Sequence, residues 1–173
     1  THPGAKLLFM GGEFGQGEEW NFQQSLDWHV LDYPVHQGIQ QLVSDLNAMY
    51  QKQPGLYEKQ FSSEGFQWID YNDAENSVIS YIRKGKDEKD DVIVVCNMTP
   101  IPREDYRIGV PKEGTYKLIF NSDEPTYGGS NYKLKKQYTA EAKEWQYRDQ
   151  SVLLNLPPLG MLALKRVQSK GNS

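Results

Sequence analysis

Glu13, Trp20, Asp27 and Trp28 are the residues whose types and spacing could do chemistry. They follow the stretch KLLFMGGEFGQGEEW, Lys6 to Trp20, in which an apolar run gives way to Gly11-Gly12 and then to a lone carboxylate. Carboxylates interleaved with indoles suit a sugar, because ring faces stack on a pyranose while the acids accept its hydroxyl protons. A loop leaving the C-terminal end of a buried strand is also where barrel enzymes place their sites. A second reading fits the composition equally well: the indoles plug a rim and the acids are solvated. Glu13 and Asp27 are not expected to break bonds together. A retaining glycosidase holds two carboxyls roughly 5 Å apart, and such geometry is drawn from several rigid elements rather than one loop.

Other chemistries fail on the residues present. The glycines of Gly11-Gly12-Glu13-Phe14-Gly15-Gln16-Gly17 suggest a phosphate loop, but no Lys-Ser/Thr follows and Glu13, Glu18 and Glu19 would repel the anion. His2, His29 and His36 lack ligand spacing, so no metal is expected, and no cofactor motif appears. Cys96 lies inside VIVVC with no neighbouring base, which makes it a small core hydrophobe rather than a nucleophile. Nineteen basic side chains oppose 23 acidic ones, with no basic run beyond Lys133 to Lys136, so nucleic acid is not an expected partner. Runs such as Val92 to Cys96 fall far short of the roughly 20 apolar residues needed to span a bilayer. No membrane partner is expected, and the single cysteine fits a soluble protein of the reducing cytoplasm.

The elements that must position the loop come next. Residues 6 to 10 read as a short strand buried on both faces, as in a parallel sheet. After a loop to Asp32, Ile39, Leu42, Val43, Leu46, Met49 and Tyr50 recur at helical spacing, with Pro34 at the start and Pro54-Gly55 as the stop. From Tyr57 onward the period becomes two. Strands are predicted at Phe66 to Asp70, Val78 to Lys84, Val92 to Thr99, Tyr106 to Val110, Tyr116 to Asn121, Val152 to Leu156 and Met161 to Val167. Asp123 to Asp149 is a polar, tyrosine-rich excursion. The division is therefore 1–56 for a strand-loop-helix unit, 57–168 for an all-β sandwich and 169–173 for a tail. A lone strand-loop-helix unit cannot close a sheet, so its neighbours are expected upstream in a longer protein. Its apolar stripe is expected to find partners, including a second copy of the chain.

Several blocks carry a resemblance. HPGAKLLFMGGEFGQGEEWN, SLDWHVLDYPVHQGIQQLVSDLN, NMTPIPREDYRIGVP, YGGSN and LPPLGMLALK occur here in the order found in bacterial-type 1,4-α-glucan (glycogen) branching enzymes of the α-amylase superfamily, which the chain resembles. The implied fold is mainly β, an α-amylase-type C-terminal antiparallel β-sandwich preceded by the last strand-loop-helix unit of a (β/α)8 catalytic barrel. KLLFM would be the eighth barrel strand, MGGEFGQ its loop and Val35 to Gln53 the following helix. The implied activity is glucan transfer that forms α-1,6 branches in glycogen biosynthesis, through a covalent glucosyl-aspartate. The carboxylates that do this belong to earlier strands, so the resemblance assigns no catalytic residue here. Glu13, Trp20, Asp27 and Trp28 are carried over as glucan-binding or supporting positions, with Gly12 standing where many members have Asn. The implied partners are α-glucan chains and the rest of the barrel. A non-catalytic glucan-binding β module, with Tyr127, Tyr132, Tyr138, Trp145 and Tyr147 as its surface, stays open beside this, as does the tail of another α-amylase-superfamily enzyme.

Overall fold

The computed structural model describes residues 1–19 and 21–167. Its helix is α1 (Pro34–Lys52), and its strands are β1 (Phe66–Asp73), β2 (Val78–Arg83), β3 (Val92–Asn97), β4 (Arg103–Val110), β5 (Thr115–Asn121), β6 (Gln137–Thr139), β7 (Gln150–Leu156) and β8 (Met161–Arg166). Helix α1 begins at the proline because the missing N–H would have had no partner in the first turn. It ends before Pro54, and the chain then turns tightly enough that a Cβ on Gly55 would stand 2.3 Å from the Asp90 carbonyl oxygen. Among the described residues no helix is long and apolar enough to cross a membrane.

Every ladder is antiparallel. One six-stranded sheet runs β1-β2-β3-β8-β5-β6, and β4 pairs with β7 in a second layer. The central strand β3 explains why VIVVC shows no polar alternation. Val92 and Val94 face one core, with Met49, Leu56 and Phe120, while Ile93 and Val95 face another, with Ile108, Val110, Val152 and Leu154. The first core lies between the large sheet and α1; the second lies between the two sheets. A strand covered on both faces can place an apolar residue at every position.

Two expectations need correction. Residues 6 to 10 form no strand, and Leu7 is 85% exposed. A strand exists through its hydrogen-bonding neighbours, and no described strand pairs with this segment. The excursion from Asp123 to Asp149 contains β6, which extends the sheet by pairing Tyr116 with Tyr138. Asp123 shapes the bend before it, accepting from Ser130 N (2.7 Å), Ser130 Oγ (2.8 Å) and Tyr132 N (2.9 Å). The tail expected at 169–173 lies outside the described residues.

One buried cation ties the N-terminal third to the sheet. Arg83, on β2, is fully buried and has no carboxylate partner among the described residues. Its guanidinium donates to the carbonyls of Thr1 (2.6 Å), His2 (2.9 Å) and Leu56 (2.8 Å), and more weakly to Gly65 (3.4 Å). Tyr127 Oη donates to Asp45 of α1 (2.7 Å), and Lys165 Nζ donates to Gln53 (3.1 Å) and Asp90 (3.0 Å), closing the same seam. Replacing Arg83 by Met strands several buried carbonyls and is expected to cost roughly 3 kcal/mol of stability in urea unfolding, with residues 1–10 becoming sensitive to protease. An unchanged urea midpoint would contradict this role.

Candidate functional site

The loop after residue 10 is pinned to the start of α1 by one ring. Phe14 has no exposed surface; its ring lies 5.1 Å from that of Trp28, and its carbonyl is 2.9 Å from His36 Nδ1. Gly15 lies against the Ile39 side chain of α1, and its positive φ of 69° is the backbone conformation that favours glycine there. Upstream, Met10 and Gly11 both have positive φ, and Gly12 N donates to the Phe9 carbonyl (2.8 Å), which turns the chain sharply before Glu13.

Gln16 then fastens the loop to itself. Its N–H donates to Gly11 O (3.1 Å), its Oε1 accepts from Asp27 N (3.0 Å), and its Nε2 donates to Glu18 O (3.0 Å). One residue, through its backbone N–H and its side-chain amide, thus joins the Glu13 turn to the segment that carries Asp27 and Trp28. Glu13 is half-buried, and its carboxylate makes no hydrogen bond or ion pair among the described residues. Asp27 precedes the 3-10 turn Trp28–Asp32, and its side chain makes no capping bond. Trp28 rests on Phe14 with one side and is 53% exposed. The structure therefore brings Glu13, Asp27 and Trp28 onto one braced loop, while Trp20 lies outside the described residues.

Sequence reasoning missed Phe14 and Gln16. A phenylalanine between glycines and acids, and a long amide amid residues without side-chain donors, were the available signals. Replacing Gln16 by Ala removes two side-chain bonds from this loop. It is expected to lower stability by about 1–2 kcal/mol and to speed proteolysis between residues 17 and 27. Cleavage at the parental rate would show that Gln16 does not brace the loop.

An unpaired carboxylate can accept hydroxyl protons, and an exposed indole can stack against a sugar face. No group of three metal-ligating side chains is found among the described residues. Cys96 is half-buried on the helix side of β3, and burial pushes its thiol up to about 11. The folded chain should therefore react with iodoacetamide at pH 8 roughly a hundredfold more slowly than the unfolded chain, since the thiolate is the reactive form. Equal rates would place the thiol in an open setting.

Of the five aromatics on the 123–149 excursion, three are engaged. Tyr127 stacks on Phe120 and bonds to Asp45, Tyr138 is buried in the sandwich, and Tyr132 Oη donates to Glu104 (3.2 Å). Trp145 and Tyr147 are exposed.

Among the described residues the fold is an all-antiparallel, two-layer β structure with one α-helix on its outer face. The chain belongs to the family described as alpha amylase, C-terminal all-beta domain, whose model matches residues 68–167. It is 52% identical over 165 residues to the 1,4-alpha-glucan branching enzyme GlgB of Aquifex aeolicus (strain VF5), covering 95% of this chain and 26% of that one. It is also 52% identical over 166 residues to the enzyme of the same name from Marinobacter nauticus, with the same 95% and 26% coverage. The chain thus spans about a quarter of the length of these relatives. The crystal structure of alpha-amylase from H.orenii superposes with a TM-score of 0.47 at 16% identity, over 75% of this chain and 20% of that one.

Proposed function

We propose that this chain is the C-terminal part of a 1,4-α-glucan branching enzyme, which forms α-1,6 branches in cytoplasmic glycogen biosynthesis, and that it contributes support and glucan contacts rather than chemistry. The observation that carries the reading is the 52% identity to a branching enzyme over 165 residues, which takes in the Glu13 loop, α1 and the β domain together. In this reading residues 1–56 are the last unit of the catalytic barrel and 57–168 its buttress. Residues 6 to 10 become a strand when the preceding barrel strand lies beside them. Leu7 and Leu8 line a cleft of about 500 Å³ with Val43, Leu46, Met49 and Tyr50, an apolar seat suited to the missing barrel elements. A chain that lacks them retains this face for self-association.

Glu13, Asp27 and Trp28 then face the glucan. The glycine turn before Glu13 and the Gln16 clamp fix the backbone there, and the carboxylate can accept a sugar hydroxyl without first breaking an internal bond. In sequence Trp20 lies between Glu13 and Asp27, and the proposal keeps it with them. With no catalytic pair on the chain, the purified 173-residue protein should leave the iodine staining of amylose unchanged over hours, whereas an intact branching enzyme lowers it. A fall in staining with the isolated chain would overturn the assignment of support without chemistry.

A further inference from the structure

Five cations from separate parts of the chain converge on one cleft. Lys59 comes from the turn after α1, Lys84 and Lys86 follow β2, Lys112 follows β4, and Arg166 closes β8. The cleft measures about 440 Å³, and Ile82, Ile93 and Pro111 supply its apolar lining. Glu64, Glu88 and Asp91 are the carboxylates there, which leaves an excess of positive charge in a chain whose net charge is -4. Like charges gathered in this way repel one another, and an anion placed among them relieves that repulsion.

The acids are already occupied by the frame. Glu88 is paired with Lys112, and Glu64 lies 3.8 Å from Lys59. Asp91 Oδ1 accepts from Gly85 N (3.1 Å), while Glu58, just outside the cleft, accepts from Lys86 N (2.8 Å). Two carboxylates thus fix the backbone between Lys84 and Lys86. On the opposite lip, Tyr116 Oη donates to Lys112 O (2.7 Å) and holds the loop between β4 and β5. The remaining cations are not occupied. Lys84 and Lys86 Nζ make no hydrogen bond or ion pair among the described residues, and the Arg166 guanidinium reaches only the Glu113 carbonyl, at 3.4 Å.

Two ammonium groups and a guanidinium with donors free match the oxygens of a phosphate, and the aliphatic lining gives a carbon frame somewhere to rest. We propose that this cleft binds a small phosphate monoester, with Lys84, Lys86 and Arg166 on the phosphate and the ester's carbon frame over Ile82, Ile93 and Pro111. A sugar phosphate and a nucleoside monophosphate share that chemistry. None of the lining residues belongs to the Glu13 loop or to α1, so the site is separate from the proposed glucan wall and does not rest on the branching-enzyme reading.

The test is calorimetric titration of the 173-residue chain, at fixed ionic strength, with glucose 6-phosphate, AMP, inorganic phosphate and sulfate, alongside thermal unfolding. At least one monoester should bind about tenfold or more tightly than inorganic phosphate, and which one does so distinguishes a sugar from a nucleoside ligand. Lys84→Gln and Arg166→Gln should each weaken that ligand by about fivefold or more without lowering the melting temperature, because each removes one member of a like-charged group. Lys84→Arg keeps the charge and should stay within about twofold of the parent, as should Lys117→Gln on β5, outside the cleft. Heat no greater than dilution for both monoesters overturns the site. Sulfate binding as tightly as the monoesters, or Lys84→Gln binding like the parent, overturns it equally. Inorganic phosphate matching the monoesters keeps the cation cluster as an anion site and overturns the assignment of an ester.

Discussion

The N-terminal third and the β sheet are held in one arrangement by the solvation of a single buried charge. A guanidinium taken out of water must recover its hydration from the protein, and Arg83 does so with backbone carbonyls alone. Those carbonyls come from separated places: the first residues, the turn that follows α1 and the turn that opens β1. The Leu56 carbonyl ends a 3-10 turn, so it has no onward helical donor and would otherwise be an orphan in the core. Cation and carbonyls each answer the other's need. Neither could be buried alone, which is why β2, the helix exit and the N-terminal segment share one geometry.

That geometry gives the six-stranded sheet two faces with different tasks. The face under β4 and β7 is closed by aliphatic residues from both layers and leaves only its rim to solvent. The other face is covered by α1, but incompletely. Met49 and Leu56 are sealed against Val92, Val94 and Phe120, while Leu46 and Tyr50 are only partly buried. Gly38 allows α1 to approach the second seam, since a Cβ there would meet the Tyr127 backbone at 2.9 Å. The helix is thus fixed at both ends and apolar along an outer edge. A helix held this firmly is a platform for whatever packs beyond it and for the loop pinned to its first turns.

Much of this was legible in the sequence, for reasons that also show where legibility ends. Helix α1 announced itself because one stripe must face a core, and β3 because both of its faces do. The two-layer partition was not legible. β4 pairs with β7 across more than forty residues, as Ile108 with Val152, and alternation along a strand does not name its distant neighbour. β6 escaped because it has three residues, of which only Tyr138 is buried. The apolar run 6–10 read as a buried strand because composition records what a segment is shaped to touch, not what lies beside it. Arg83 was invisible as a structural centre, since in sequence it is one more charge at the end of VISYIR. Glu13, Asp27 and Trp28 were legible as types, but the brace that unites them was not, because Gln16 acts through backbone groups that any sequence would supply.

The carboxylates separate structural from functional roles more sharply than composition can. Asp123 accepts three bonds and shapes a loop. Asp73 takes Asn76 and the Tyr106 hydroxyl; burial raises its pKa, but these bonds and the nearby Arg103 charge outweigh it and hold the carboxyl below its usual range. Asp45 accepts from Tyr127 and Gln41. Each of these acids is occupied by the fold and leaves little capacity for a ligand. Glu13 lies on a turn fixed by two positive-φ residues, a buried ring and Gln16, which makes one backbone and two side-chain bonds, yet its own oxygens are engaged by nothing described. A fold that orders the backbone around an acid while leaving the acid unused has built a position rather than an interaction. That contrast, more than the presence of glutamate among aromatics, is what the proposed glucan wall at Glu13 rests on.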